Sequence, residues 1–156
     1  ESDLFYQGIR PAVNVGLSVS RVGSKAQTPA MKKVAGKLRL ELAQFRELQA
    51  FVQFASDVDD VTKKKIKRGQ IITEILKQSD LAPLSFDKQV IVLYAALNNY
   101  FDEIPEEKLA ELQEKLLNNI EKVHDREILE PLKKTGILSK EVEEKLKQAI
   151  ENIVKI

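Results

Sequence analysis

Two different periodicities divide this chain. Over residues 12–20, Val13, Val15, Leu17 and Val19 alternate with Asn14, Gly16, Ser18 and Ser20. Strict alternation predicts a strand with one face buried. Pro11 precedes it, where a missing N–H does least harm. A lone strand is not stable, so its partner strands are expected upstream of residue 1.

From Pro29 the period becomes helical. Met31, Val34, Leu38, Leu42, Phe45, Leu48 and Val52 step by three or four residues and form one stripe on a long helix. Thr28-Pro29 supplies a cap followed by proline in the first turn. Gly36 weakens that helix by about 1 kcal/mol relative to Ala and marks a bend or a close contact. A second helix starts in Asp57-Val58-Asp59-Asp60 and runs to Lys77, with acids where the dipole favours them. A loop with Pro83 follows. Ser85 then caps a third helix through Asn99, and Asp102 to Pro105 makes a turn. Leu109, Leu112, Leu116, Ile120 and Val123 mark a fourth helix. A short helix over Asp125–Lys134, interrupted at Pro131, ends at Gly136, which suits a left-handed terminus. Ser139 caps the last helix, whose face carries Val142, Leu146, Ile150 and Ile153.

The fold class is therefore mainly α. Residues 29–156 form a C-terminal bundle of about five to six helices with short connections. Residues 1–28 are expected to contribute one strand to a sheet completed upstream. The chain opens at Glu1 without Met, and it reads as a piece cut from a larger protein.

Composition removes several function classes. There is no cysteine and one histidine, so no thiolate or His-cluster metal site can form. The absence of thiols fits a reducing compartment. The longest apolar run, Val90 to Leu97, falls far short of the roughly 20 residues of a membrane span. With 25 basic and 24 acidic residues, net charge is +1, which gives no field to attract nucleic acid. Lys63-Lys64-Lys65-Ile66-Lys67-Arg68 lacks interleaved aromatics for base stacking and reads as a solvated helix face. Asp57-Val58-Asp59-Asp60 fails as a calcium loop, because Thr62 and Arg68 stand where glycine and glutamate are required. His124, Asp102, Glu103, Glu106 and Glu107 read as surface groups.

The chemistry concentrates near the end of the strand. Arg21 falls just past its C-terminal end, the edge at which open α/β sheets place ligands. Gly23 and Ser24 suit a turn that projects the side chain. Gly8-Ile9-Arg10-Pro11-Ala12 and Val19-Ser20-Arg21-Val22-Gly23-Ser24 resemble the end of the nucleotide-binding domain of F-type ATP synthase alpha subunits. The resemblance continues through Ala30-Met31-Lys32-Lys33-Val34-Ala35-Gly36-Lys37-Leu38 and Leu40-Glu41-Leu42-Ala43-Gln44-Phe45-Arg46-Glu47-Leu48. Phe54-Ala55-Ser56-Asp57 follows at the family's spacing. It is strongest over the first 60 residues, and the helical patterning beyond fits the family's C-terminal bundle.

That resemblance carries specific expectations. It implies that residues 1–28 are the end of an upstream α/β nucleotide-binding domain, whose sheet takes the predicted strand. It implies that Arg21 is an arginine finger reaching the catalytic site of an adjacent beta subunit. It implies a second, non-catalytic nucleotide site holding ATP or ADP with Mg, whose adenine end meets Arg10, Pro11, Gln78 and Phe5. The family's second glutamine is replaced by Asp80, whose ionised carboxylate cannot donate. No Gly-x-x-x-x-Gly-Lys-[Ser/Thr] loop occurs in these residues, so phosphate and Mg ligands are expected elsewhere. The implied partners are beta subunits in an alpha3-beta3 ring, the gamma central stalk, and delta with the peripheral stalk. The implied location is peripheral, on the cytoplasmic face of a bacterial energy-coupling membrane. The alternative is a stand-alone helical interaction module with residues 1–28 as a tail.

Overall fold

The hydroxyl of Thr28 accepts from the Met31 N–H at 3.3 Å, and Pro29 fills the first turn behind it. This local chemistry opens the bundle of the computed structural model, which describes residues 1–15, 17–52, 58–79 and 82–154. The helices are α1 (Ser2–Tyr6), α2 (Pro29–Ala35), α3 (Leu38–Val52), α4 (Asp60–Ile75), α5 (Phe86–Leu97) and α6 (Glu106–Val123). A π-helical turn (Asp125–Leu129) leads into α7 (Glu130–Thr135), and α8 (Lys140–Val154) follows. Asp59 caps α4 by accepting from the Thr62 N–H at 2.9 Å, and Ser139 caps α8 through the Val142 N–H at 3.2 Å.

α5 is the axis of the bundle. Val90, Ile91, Val92, Leu93, Tyr94, Ala95 and Ala96 are all buried. A helix apolar on every side must be surrounded, and α2, α4 and α6 pack against this one. Asp87, in its first turn, is 1% exposed, with the Lys133 ammonium 3.8 Å away and the helix dipole favouring its charge.

Three sequence expectations are corrected. The stripe from Met31 to Val52 is two helices, because the helix is interrupted at Gly36 and Lys37 before α3 begins. A Cβ at residue 36 would lie 3.1 Å from the Lys32 carbonyl oxygen, so Ala there would need the backbone to give by a few tenths of an ångström. The predicted strand forms no ladder in its described residues, 12–15 and 17–20. Among the described residues no strand pairs with it, and Val13, Leu17 and Val19 stand 53%, 73% and 83% exposed. The basic run is not uniformly solvated either. Arg68 Nε donates to Glu41 at 2.7 Å, and its Nη2 donates to the Leu97 carbonyl at 2.9 Å. Its other terminal nitrogen bonds Asn99 and faces Asp102 at 3.5 Å. One guanidinium thus fastens α3, α4 and the end of α5 together, and Asp102 is its partner rather than a solvated acid.

Two glycines are required by geometry. Gly136 closes α7 at φ +64°, accepts from the Ala30 N–H at 2.9 Å, and so clasps the end of α7 to the start of α2. At Gly69 a Cβ would lie 2.1 Å from Cγ and 2.5 Å from Cβ of Phe45. Across the bundle, the Tyr94 hydroxyl donates to Glu143 at 3.0 Å, and Lys33 pairs with the other carboxylate oxygen. Lys33 and Tyr94 together hold Glu143 below its ordinary value of 4.5. Burial and Glu143 in turn hold the Tyr94 phenol above its own ordinary value.

Gly69→Ala should lower stability by about 1–3 kcal/mol, because the contact falls on the base of the Phe45 side chain rather than on a movable tip. The helix-propensity gain of roughly 1 kcal/mol is too small to reverse that sign. A urea titration reads it, and Phe45→Leu in the same chain should recover part of the loss. Glu143, with a depressed folded value, contributes stability that is complete above 4.5 and lost as pH falls below it. Glu143→Gln should therefore be less stable at neutral pH and show a shallower fall as pH drops below 4.5, as read by unfolding midpoints across an acid series.

Candidate functional site

α1 is followed by a tight reversal through Gly8, at φ +78°, with the Ile9 N–H donating to the Leu4 carbonyl at 2.9 Å. The reversal returns Arg10 over Phe5, with its guanidinium carbon 4.3 Å from the ring centroid. Such a contact contributes about 0.5–1 kcal/mol at an exposed site and fixes the plane of the arginine. A cis peptide bond joins Arg10 to Pro11. From the other side, α4 ends at Ile75, and the chain continues through Lys77 to Gln78. The Gln78 N–H donates to the Arg10 carbonyl at 2.8 Å. That bond ties the N-terminal segment to the bundle.

The sequence-nominated residues converge here. Phe5, Arg10, Pro11 and Gln78 line one cleft of about 420 Å³, together with Ser79, Ala82 and Pro83. Phe5, Arg10 and Gln78 also border an adjoining cleft of about 710 Å³. Both volumes fall in the range of small-molecule sites, about 300–1,000 Å³. A guanidinium plane and a proline ring offer flat surfaces to a heterocycle, and an amide offers one donor group and one acceptor to its edge. The larger cleft has a wall that the sequence reading missed. α6 lends it Leu109, Ala110 and Gln113. Gln113 follows Leu109 by one helical turn, but periodicity alone marks it only as a polar position. Asp80 and Phe54 to Asp57 lie outside the described residues.

Arg21 stands apart from both clefts. It is exposed, on a turn in which the Gly23 N–H donates to the Ser20 hydroxyl at 2.9 Å and Gly23 takes φ +44°. A 3-10 turn (Gly23–Lys25) follows. The Arg21 side chain makes no hydrogen bond or ion pair with the described residues. A cation so placed is available to a phosphate outside the chain. Among the described residues, no group of three acidic or histidine side chains could hold a metal ion. None of their helices is long and apolar enough to cross a membrane.

Residues 27–153 match the family described as ATP synthase alpha/beta chain, C terminal domain, and the chain belongs to that family. Its sequence is similar to ATP synthase subunit alpha of Rickettsia bellii (strain OSU 85-389), with 53% identity over 155 residues. That alignment covers 99% of this chain and 30% of the relative, so the chain spans about a third of the relative's length. The alpha-type motifs around Arg10, Arg21 and Glu41 to Leu48 thus belong to a likeness that runs along nearly the whole chain.

Proposed function

We propose that this chain is the C-terminal part of the alpha subunit of a proton-translocating F-type ATP synthase, which makes ATP from ADP and phosphate. In this reading Arg21 is an arginine finger in the catalytic site of the neighbouring beta subunit. The observation that carries it is an exposed arginine with no partner among the described residues, on a glycine-containing turn, inside an alpha-type sequence. Phosphoryl transfer spreads negative charge over the oxygens of the moving phosphate. A guanidinium is charged at every working pH and offers a planar fork of donors. Fingers of this kind contribute about 10³–10⁵ in rate, equivalent to roughly 4–7 kcal/mol of barrier. An arginine committed to its own fold could not move to that task at low cost, and Arg21 carries no such commitment.

The second part of the proposal concerns a nucleotide that is bound but not turned over. Phe5, Arg10, Pro11 and Gln78 fit its base end, as their shared cleft and flat surfaces suggest. The chain holds no phosphate loop, so it orients the base while Mg and phosphates are held by other residues. When bound, the Mg-nucleotide supplies a fixed charge and an added link between the domains that touch it. The partners in this reading are beta subunits, the gamma stalk, and delta with the peripheral stalk. The assembly would sit peripherally on an energy-coupling membrane.

In a reconstituted alpha3-beta3-gamma complex carrying residues 1–156, Arg21→Lys should assemble normally and lose at least about 10³-fold in multi-site turnover. Arg21→Ala should do the same. Steady-state ATP hydrolysis, with assembly checked by size-exclusion chromatography, is the measurement. Parent-like turnover in either assembled variant would defeat the finger assignment.

A further inference from the structure

The larger cleft offers more than the residues that the sequence nominates. Its polar groups fall into two sets. The first is already engaged: Arg10 stacks on Phe5, and Lys77 pairs with Glu74. The second is the pair of half-buried amides of Gln78 and Gln113, which line the same cleft from the run beyond α4 and from α6. Neither side chain makes a hydrogen bond with the described residues. A half-buried amide facing an open cleft without a partner is poised to be satisfied by a guest.

The chemistry of an amide narrows the guest. It presents a donor and an acceptor side by side. Adenine offers this complement twice, because its amino group has one hydrogen beside N7 and another beside N1. Guanine shows two acceptors, O6 and N7, along the first of these edges, so one amide oxygen would face an acceptor. Arginine is the side chain whose fork matches that guanine edge, and here Arg10 is held flat against Phe5.

We propose that Gln113 of α6 is a base-reading residue of this cleft and, with Gln78, selects an adenine nucleotide over a guanine nucleotide. The proposal rests on the base-site reading above and adds to it the second wall and the source of selectivity. It places one determinant of binding on α6, in the family's C-terminal domain. It also makes the preference depend on the packing of α4, which leads into Gln78, against α6.

The test is equilibrium binding of ATP and of GTP to the full-length subunit carrying this chain, with parent, Gln113→Leu, Gln113→Glu, Gln78→Leu and Arg10→Ala compared. Gln113→Leu keeps size and removes both polar atoms, and Gln113→Glu keeps size and removes the donor. Each should weaken ATP roughly tenfold and leave GTP nearly unchanged, so the ATP/GTP ratio falls. A merely structural role would not move that ratio. If Gln78→Leu weakens ATP and both Gln113 variants bind like the parent, Gln113 is only a wall and the proposal is overturned while the base site stands. An equal loss of ATP and GTP in the Gln113 variants also overturns it. If Arg10→Ala, Gln78→Leu and the Gln113 variants all bind like the parent, the base-site reading fails and takes this one with it.

Discussion

Seven consecutive buried residues on α5 set the terms for everything around them. A helix with no polar face can exist in water only if other elements cover every side of it. α2, α4 and α6 supply that cover, and the polar devices of the bundle fix how they do so. Tyr94 reaches out of α5 to Glu143, which also holds Lys33 of α2. Arg68 of α4 takes the Leu97 carbonyl at the end of α5 while gripping Glu41 of α3. Hydrophobic burial gives the helices a reason to gather. These directional contacts choose one arrangement among the many that would bury the same surface.

The chemical residues lie at the margin of that construction. Arg21 sits on a turn that the bundle neither covers nor engages. The cleft lined by Phe5, Arg10 and Gln78 is assembled from a reversal after α1, the run beyond α4 and one face of α6. Residues such as Phe5 and Arg10 therefore owe their position to tertiary contact, chiefly the Gln78-to-Arg10 hydrogen bond. A rigid core with reactive groups on its connecting segments is the usual division of labour in proteins.

What could be read from the sequence follows the range of the forces involved. Thr28, Asp59, Ser139 and Gly136 act within one turn of their own position, so their roles were legible directly. The stripes of α6 and α8 were legible for the same reason. Gly36 was ambiguous, since a glycine at a helical position states a cost but not whether the helix breaks. Arg68 looked like one more lysine-rich surface charge, because nothing nearby in sequence reveals that Glu41, Asn99 and Asp102 surround it. The nominated base-site residues came from motif wording, and they do share a cleft. Gln113 belongs to no motif, and only the packing of α6 brings it there. The alternation over residues 12–20 predicted a half-buried strand, but the described residues form no ladder and leave Val13, Leu17 and Val19 exposed.

The cleft between the N-terminal segment and the helices has a thermodynamic corollary. Its walls come from both sides of a junction tied, among the described residues, by the 2.8 Å backbone bond from Gln78 to Arg10. Any guest that touches both walls gains its full affinity only while they stay together, and by linkage it holds them together with the same free energy. An occupant here is a rivet as much as a ligand. Its departure would loosen the seam between the segment that carries Phe5 and Arg10 and the helical body behind it.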